Sequence, residues 1–293
     1  MIKNMLRRAQ QSLGVEVSRL VRSPRRSVAE MQAEGVQPLQ PRWPLPRAGS
    51  SDEELRSFVA GFEQWHYSLE FEGGLSFASS WTPPGGTDPH AQRPLQRFRH
   101  FMPLAVAALG GSLKGKRVLD IACNGGYWSL QCALLGAEVT AFDSRPEMVE
   151  QARGLCRIAG VDNVRFELMN YWEMSPERLG GKFDLVLNLG ILYHLPDPLA
   201  ALRASMSVTG DVMVLDTFVH RAREPLMRVQ WETTEAVFNA SAAGIVVYPS
   251  RSSVEMILQQ LGARSIREVP LWQLPMPVDY EAGDRTSWVI KAG

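Results

Sequence analysis

Asp120, Asp143 and His194 are the side chains best placed for chemistry, because each stands at or near the end of an apolar run. Residues 118–122 read as a buried strand interrupted only by Asp120. The small residues Ala122, Cys123, Asn124, Gly125 and Gly126 close that run, and a helix-like segment begins at Tyr127. Small residues let the backbone pass close to a ligand, and the first turn of a helix offers unpaired N–H groups. Asp143 ends a second apolar run, 139–142, about twenty residues further on, where a carboxylate can accept from a ribose diol. Ser144 follows it. This order points to a nucleoside-containing cofactor. His194 comes just after another apolar run, 183–188, at the strand-end edge where ligands bind in alternating strand–helix folds.

The residues also discriminate between cofactors. A dinucleotide site expects GxGxxG straight after the first strand, but the aligned positions here are Ala122, Asn124 and Tyr127. No GxxxxGK[ST] phosphate cradle occurs in the chain. Asp120 would repel a pyrophosphate, whereas it suits a zwitterion carrying an ammonium and a sulfonium. That favours S-adenosylmethionine. Ala122 is small enough for the turn, and Asn124 is a residue type that adopts left-handed backbone readily.

VLDIACNGGYWS (118–129) resembles the first motif of class I S-adenosylmethionine-dependent methyltransferases, usually written VLDxGxGxG. Asp143 resembles the ribose-binding acid of that family, and Asn170 falls where many members place a polar residue at the adenine. FDLVLNLGILYHLPDPLAAL (183–202) is similar to the segment after their fourth strand. The resemblance covers about residues 113–218. It implies a cofactor set of Asp120, Ala122, Cys123, Asn124, Gly126, Asp143, Ser144, Asn170, Tyr171 and Leu189. For Tyr171 the alternative is packing alone. Ala122 and Asn124 replace the first two glycines of the consensus. A narrower resemblance, carried by GILYHLPDPLAAL, VLDTFV and VVYPSRSSVEMILQQLGARSI, is to tRNA wobble-uridine carboxymethyltransferases and their relatives. That branch implies an N-terminal cap, a sheet whose last strand is antiparallel, and extra basic residues around a carboxylated cofactor.

Methyl transfer is an in-line displacement, so a protein must align acceptor and donor and, for a hydroxyl acceptor, remove a proton. His194 suits that proton, since imidazole titrates near neutrality; the alternative is a structural histidine donating to a backbone carbonyl. Tyr193 is assigned to the pocket wall. His66, Tyr67 and Trp81, with Trp65, either form a lid over cofactor and acceptor or bury Trp65 in a core of their own. His90, His100 and His220 show no ligand spacing, and no metal is assigned.

These residues need elements to hold them. Strands are expected at 117–122, 138–143, 164–168, 183–188 and 211–216, alternating with helices at 126–135, 146–159, 176–180 and 197–206. Strand–helix alternation with apolar strands means a parallel sheet covered on both faces. The fold class is therefore α/β, a Rossmann-like methyltransferase fold with a seven-stranded, mostly parallel sheet and an N-terminal helical cap. Helices at about 52–65 and 92–109 belong to the cap; a helix at 252–261 and strands near 265–269 and 287–291 close the chain. The expected division is a basic N-terminal segment and linker (1–51), a helical cap (52–112) and the methyltransferase domain (113–293). An irregular insertion at about 219–248, with Trp231 and Phe238, is expected to shape the acceptor pocket together with Trp81.

With 45% hydrophobic and 21% charged residues and zero formal net charge, the chain lacks the global field of a nucleic-acid or acidic-membrane binder. Charge is uneven: Lys3, Arg7, Arg8, Arg19, Arg22, Arg25 and Arg26 face only Glu16 in the first 26 residues. This arm is read as a solvated terminus, with nucleic-acid docking as the alternative. Cys123, Cys132 and Cys156 lack metal spacing and are read as buried, reduced thiols. No apolar run matches a signal peptide or membrane span, so the protein is expected in the cytoplasm, without a membrane partner. The expected function is methyl transfer to oxygen or nitrogen of a small metabolite. The alternatives are a wobble-uridine tRNA enzyme and a non-catalytic partner subunit of the same fold.

Overall fold

Five short apolar runs that each end in a turn become the parallel core of the sheet. A computed structural model describes residues 23–88, 90–232 and 244–293. In it β1 (Leu69–Glu70) and β2 (Ser76–Phe77) form a small hairpin. The main sheet contains β3 (Arg117–Ile121), β4 (Glu138–Asp143), β5 (Val164–Leu168), β6 (Phe183–Leu189), β7 (Thr209–Phe218), β10 (Ser265–Glu268) and β11 (Arg285–Lys291). Its order is β10-β11-β7-β6-β3-β4-β5. Neighbours from β7 to β5 run parallel, while β11 is antiparallel to both β7 and β10. The chain order reverses between β3 and β6, which opens a crevice at their C-terminal ends.

Two apolar layers flank this sheet. One face packs Val118, Leu185 and Val214 against Phe98, Phe101 and Trp128; the other packs Leu119, Val186 and Met213 against Leu202 and Leu258. Strands buried on both faces explain the near-continuous apolar runs. Helix Asp52–Ala60 starts on a Ser51/Glu54 capping box, with Asp52, Glu53 and Glu54 in the first turn, where acids favour the helix dipole. It stops at Gly61 rather than running to about Trp65. Trp65 instead folds back, its indole N–H donating to the Val59 carbonyl and its ring meeting Phe58 and Phe62 edge-on.

Two sequence expectations change here. The segment 23–51, part of the expected N-terminal segment and linker (1–51), is packed onto the body. Ser27 and Glu30 cap a helix at Val28–Ala33, Met31 and Val36 are buried, and Leu45 bridges Phe71. Its few apolar residues find partners far along the chain, so composition understated its order. The insertion is not irregular throughout: β8 (Met227–Trp231) and β9 (Ile245–Pro249) pair as an antiparallel hairpin. Trp231 on that hairpin is 77% exposed and lies outside the pocket wall, contrary to the expected role; Phe238 lies outside the described residues. The basic stretch 1–22 also lies outside them. Among the described residues no helix is long and apolar enough to cross a membrane.

Candidate active site

The crevice at the ends of β3, β4 and β6 is a cavity of about 970 Å³. That is at the upper end of ligand pockets, roughly 300–1,000 Å³, and leaves space for a second molecule beside a nucleoside cofactor. Asp120, Ala122, Cys123, Asn124, Asp143, Ser144, Asn170, Tyr171 and Leu189 all line it, and so do His66, Tyr67, Trp81, Tyr193 and His194. Gly126 does not. Its φ is +81°, and a Cβ there would lie 2.6 Å from the Ala152 side chain and 2.8 Å from its Cα. Gly126 therefore lets helix Tyr127–Leu134 press against helix Pro146–Ile158, which sets the loop from behind.

The turn after β3 is built from backbone that ordinary side chains avoid. Ala122 has φ 52° and Asn124 φ 51°, both left-handed. The Asn124 side chain accepts from the Gly125 N–H at 2.8 Å, which helps the turn hold that shape. Asp120 is buried and accepts from the Ser129 hydroxyl at 2.6 Å. Burial pushes its carboxyl up to about 7, against the opposing effect of the Ser129 hydrogen bonds.

Asp143 is also buried and accepts four hydrogen bonds. The Arg145 N–H and Nε reach Oδ1 at 3.1 and 2.8 Å, and the Asn124 N–H and Arg145 Nη2 reach Oδ2 at 3.0 and 2.8 Å. A carboxylate offers about four lone-pair sites, so the Arg145 fork stands where hydroxyl donors would have to enter. Asn170 caps a short 3-10 turn by accepting from the Trp172 N–H. The Tyr171 hydroxyl is turned away to the Ala201 carbonyl and the Ser205 hydroxyl, so this residue is mainly a packing element.

On the other side of β6, His194 Nδ1 lies 2.9 Å from Glu232 Oε2, and both side chains are largely buried. Tyr193 packs on the His194 ring, with centroids 4.0 Å apart. Nothing local in the sequence marks Glu232, which stands at the end of the hairpin strand β8. Above them His66 sits between Tyr67 and Trp81. Burial first, then the charges of Arg97, Arg93 and Arg145, push His66 down to about 3, so it is neutral at ordinary pH.

A buried ionic network closes the far wall and was equally missed. Asp216 accepts from Arg97 Nη2 at 2.8 Å, Arg285 Nε at 2.7 Å, the Tyr280 hydroxyl at 2.5 Å and the Ser287 hydroxyl at 2.6 Å. Arg97 also donates to the hydroxyls of Tyr280 and Tyr67. Arg93 makes a two-pronged pair with Asp279 at 2.9 and 2.6 Å. A signal for the first network existed: Asp216 and Arg285 are charges inside or bordering apolar strand runs, where an unpaired charge would be costly. All three cysteines are free and buried. Among the described residues no group of three or more His, Cys, Asp or Glu side chains gathers as a metal site.

The methyltransferase domain family matches residues 90–268, more than half of the chain. A ubiquinone biosynthesis O-methyltransferase of Xanthomonas campestris pv. campestris is 33% identical over 180 residues, 59% of this chain and 65% of that protein. One of Xanthomonas euvesicatoria pv. vesicatoria is 36% identical over 142 residues, 48% of this chain and 56% of that protein. The chain thus spans less than two thirds of these relatives' length. Among solved structures, the N-terminal domain of EvdMO1, crystallised in the presence of SAH and D-fucose, superposes with a TM-score of 0.64. The match is 22% identical and covers 83% of this chain and 98% of that one, a likeness of fold. Sheet order, the turn after β3 and the family match agree: this chain belongs to the methyltransferase domain family, and its cofactor is S-adenosylmethionine.

Proposed function

We propose that this chain transfers a methyl group from S-adenosylmethionine to a hydroxyl oxygen of a small organic molecule. The observation that carries this reading is His194, which lines the cavity across β6 from Asp120 and Asp143 and is held from behind by Glu232. The bound cofactor supplies a methyl carbon already activated by its sulfonium, so the protein has to bind, orient and handle one proton. Asp120 faces the ammonium and sulfonium, Asp143 takes the ribose hydroxyls, and Asn170 stands at the adenine. Leu189, Ala122, Cys123 and Ser144 shape the walls, while Gly126 sets the loop. Glu232 holds His194 through Nδ1, and Nε2 accepts the acceptor's proton. Residues 52–112 act as the cap, with His66, Tyr67 and Trp81 over the cavity. The curated relatives, whose names specify O-methyl transfer, support an oxygen acceptor.

The test is to incubate the protein with methyl-labelled S-adenosylmethionine and, separately, an ultrafiltered metabolite fraction or an RNA fraction. Label is expected in the metabolite fraction. Label in RNA would reverse the reading in favour of a tRNA-modifying enzyme docked by its Arg-rich start. Cofactor binding with no label in either fraction would indicate a non-catalytic subunit.

The site assignments carry two further expectations. Asp143→Ala should weaken S-adenosylhomocysteine binding about tenfold to over a hundredfold, the worth of hydrogen bonds to a charged group. Arg145→Ala should not weaken it, since the guanidinium must yield to the ribose. Calorimetry on both variants checks this, and unchanged affinity in Asp143→Ala would remove the ribose assignment. Asp120 predicts a pH dependence. The cationic ligand needs the carboxylate, yet in the free protein this group titrates at about 7. Binding should therefore release a proton and tighten as pH rises towards 7, by up to about tenfold per pH unit, then level off. For stability the sign is opposite: the raised folded-state value favours the fold at acid pH, and that contribution fades between about 4 and 7. Asp120→Asn should abolish the proton release, measured in buffers of different ionisation heat; identical release in the variant would exclude Asp120 as its source.

A further inference from the structure

The wall formed by Arg97 and Arg285 holds more positive charge than its counter-ion balances. Among the described residues Asp216 is the one carboxylate bonded to both guanidinium groups, and all three side chains are buried. Arg93 does not change the balance, since Asp279 is paired to it with two hydrogen bonds. Burying two like charges on one carboxylate leaves a positive potential in a poorly hydrated wall, and such a wall favours an anion in the space it faces.

Arg97 is used up by structure: Nε donates to Tyr280, Nη1 to Tyr67 and Nη2 to Asp216. Arg285 is placed differently. Its Nε is spent on Asp216, and its guanidinium carbon lies 4.6 and 5.7 Å from the ring centroids of Phe218 and Tyr193, two rings that meet each other edge-on at 5.1 Å. Its Nη2 lies 2.7 Å from where a Cβ on Gly190 would stand, and Gly190, at φ +93°, directly follows β6 in the cavity lining. Glycine at this point keeps the tip of the guanidinium at the cavity wall, a few residues before His194.

We propose that the methyl acceptor carries a carboxylate, and that Arg285 binds it so that the hydroxyl to be methylated faces His194. The planar fork of an arginine matches a carboxylate in two parallel hydrogen bonds, which fixes direction as well as affinity. A substrate gripped at its acid end and methylated at a hydroxyl is a hydroxy-carboxylic acid. This inference rests on the hydroxyl-methylation reading above.

The experiment uses the labelled product made by the wild-type protein from the metabolite fraction. It should be retained by an anion exchanger at pH 7 and released at about pH 2, where a carboxyl is protonated. A product neutral or cationic at pH 7, including a methyl ester, would overturn the proposal while leaving methyl transfer intact. A product still retained at about pH 2, as a phosphate or sulfate would be, overturns it too. No label in that fraction removes the underlying reading and this inference with it. A second arm uses Arg285→Lys, which keeps the charge and loses the fork. The concentration of metabolite fraction needed for half-maximal labelling should rise about tenfold to a hundredfold, with S-adenosylhomocysteine affinity unchanged. Weaker cofactor binding with unchanged acceptor dependence would place the arginine on the donor side and overturn the proposal. Should that variant fail to fold, the product's charge still decides.

Discussion

His194→Ala is expected to lower turnover about 10²–10⁴-fold while leaving S-adenosylhomocysteine affinity near that of the unaltered protein. A base that takes the acceptor's proton acts mainly in the transition state, so its loss falls on kcat. Because the base works only as neutral imidazole, the wild-type rate should rise with pH along an acidic limb. That limb should vanish in the variant. Glu232 touches His194 and not the reacting atoms, so it is a positioning residue. Glu232→Gln should cost less than His194→Ala and move the acidic limb to lower pH, since a neighbouring carboxylate favours the protonated ring. Steady-state kinetics across pH on both variants measures this. Turnover in His194→Ala within a few-fold of normal, with the limb intact, would mean that alignment alone suffices, as for a neutral amine acceptor.

The largest expected loss of stability comes from Asp216→Ala. Asp216 is fully buried, and burial alone would raise its pKa; Arg285 and Arg97, with Ser287 and Tyr280, outweigh that and hold it well below the usual carboxylate range. Removing it leaves two buried guanidinium groups facing each other without a counter-ion. Breaking a buried pair costs about 3–5 kcal/mol. For a chain of this size that is a fall in Tm on the order of 10 °C. The same depressed pKa sets a pH window: the stabilisation is complete above about pH 4 and is lost as pH falls below it. Denaturant titration of wild type and variant at neutral and acid pH tests both statements. A loss under about 1 kcal/mol at neutral pH would mean that water or a rearranged partner replaces the carboxylate.

The alternation of strand and helix, the turn after β3 and the placing of Asp120, Asn124, Asp143 and His194 were all legible in the sequence. Apolar periodicity, small residues at a strand end and a charge at a fixed spacing are local properties, and local backbone chemistry enforces them. The capping box at Ser51 is local too, because its partners lie three residues apart. What only the tertiary structure decided is which distant side chains complete the site. Glu232 lies 38 positions beyond His194, and Asp216 lies 119 from Arg97 and 69 from Arg285. No periodicity links such pairs. The Asp216 pairs meet because β7 and β11 lie side by side and the helix carrying Arg97 packs across them, and Glu232 reaches His194 because β9, paired with β8, packs on the turn after β6. The same holds for residues 23–51, whose Met31, Val36 and Leu45 become core only once the rest of the chain supplies a surface for them. Local pattern determined the half of the cavity around Asp120 and Asp143; global packing decided the half around Arg97 and Arg285, because two side chains far apart in sequence can share a counter-ion only after the fold has brought them into the same desolvated wall.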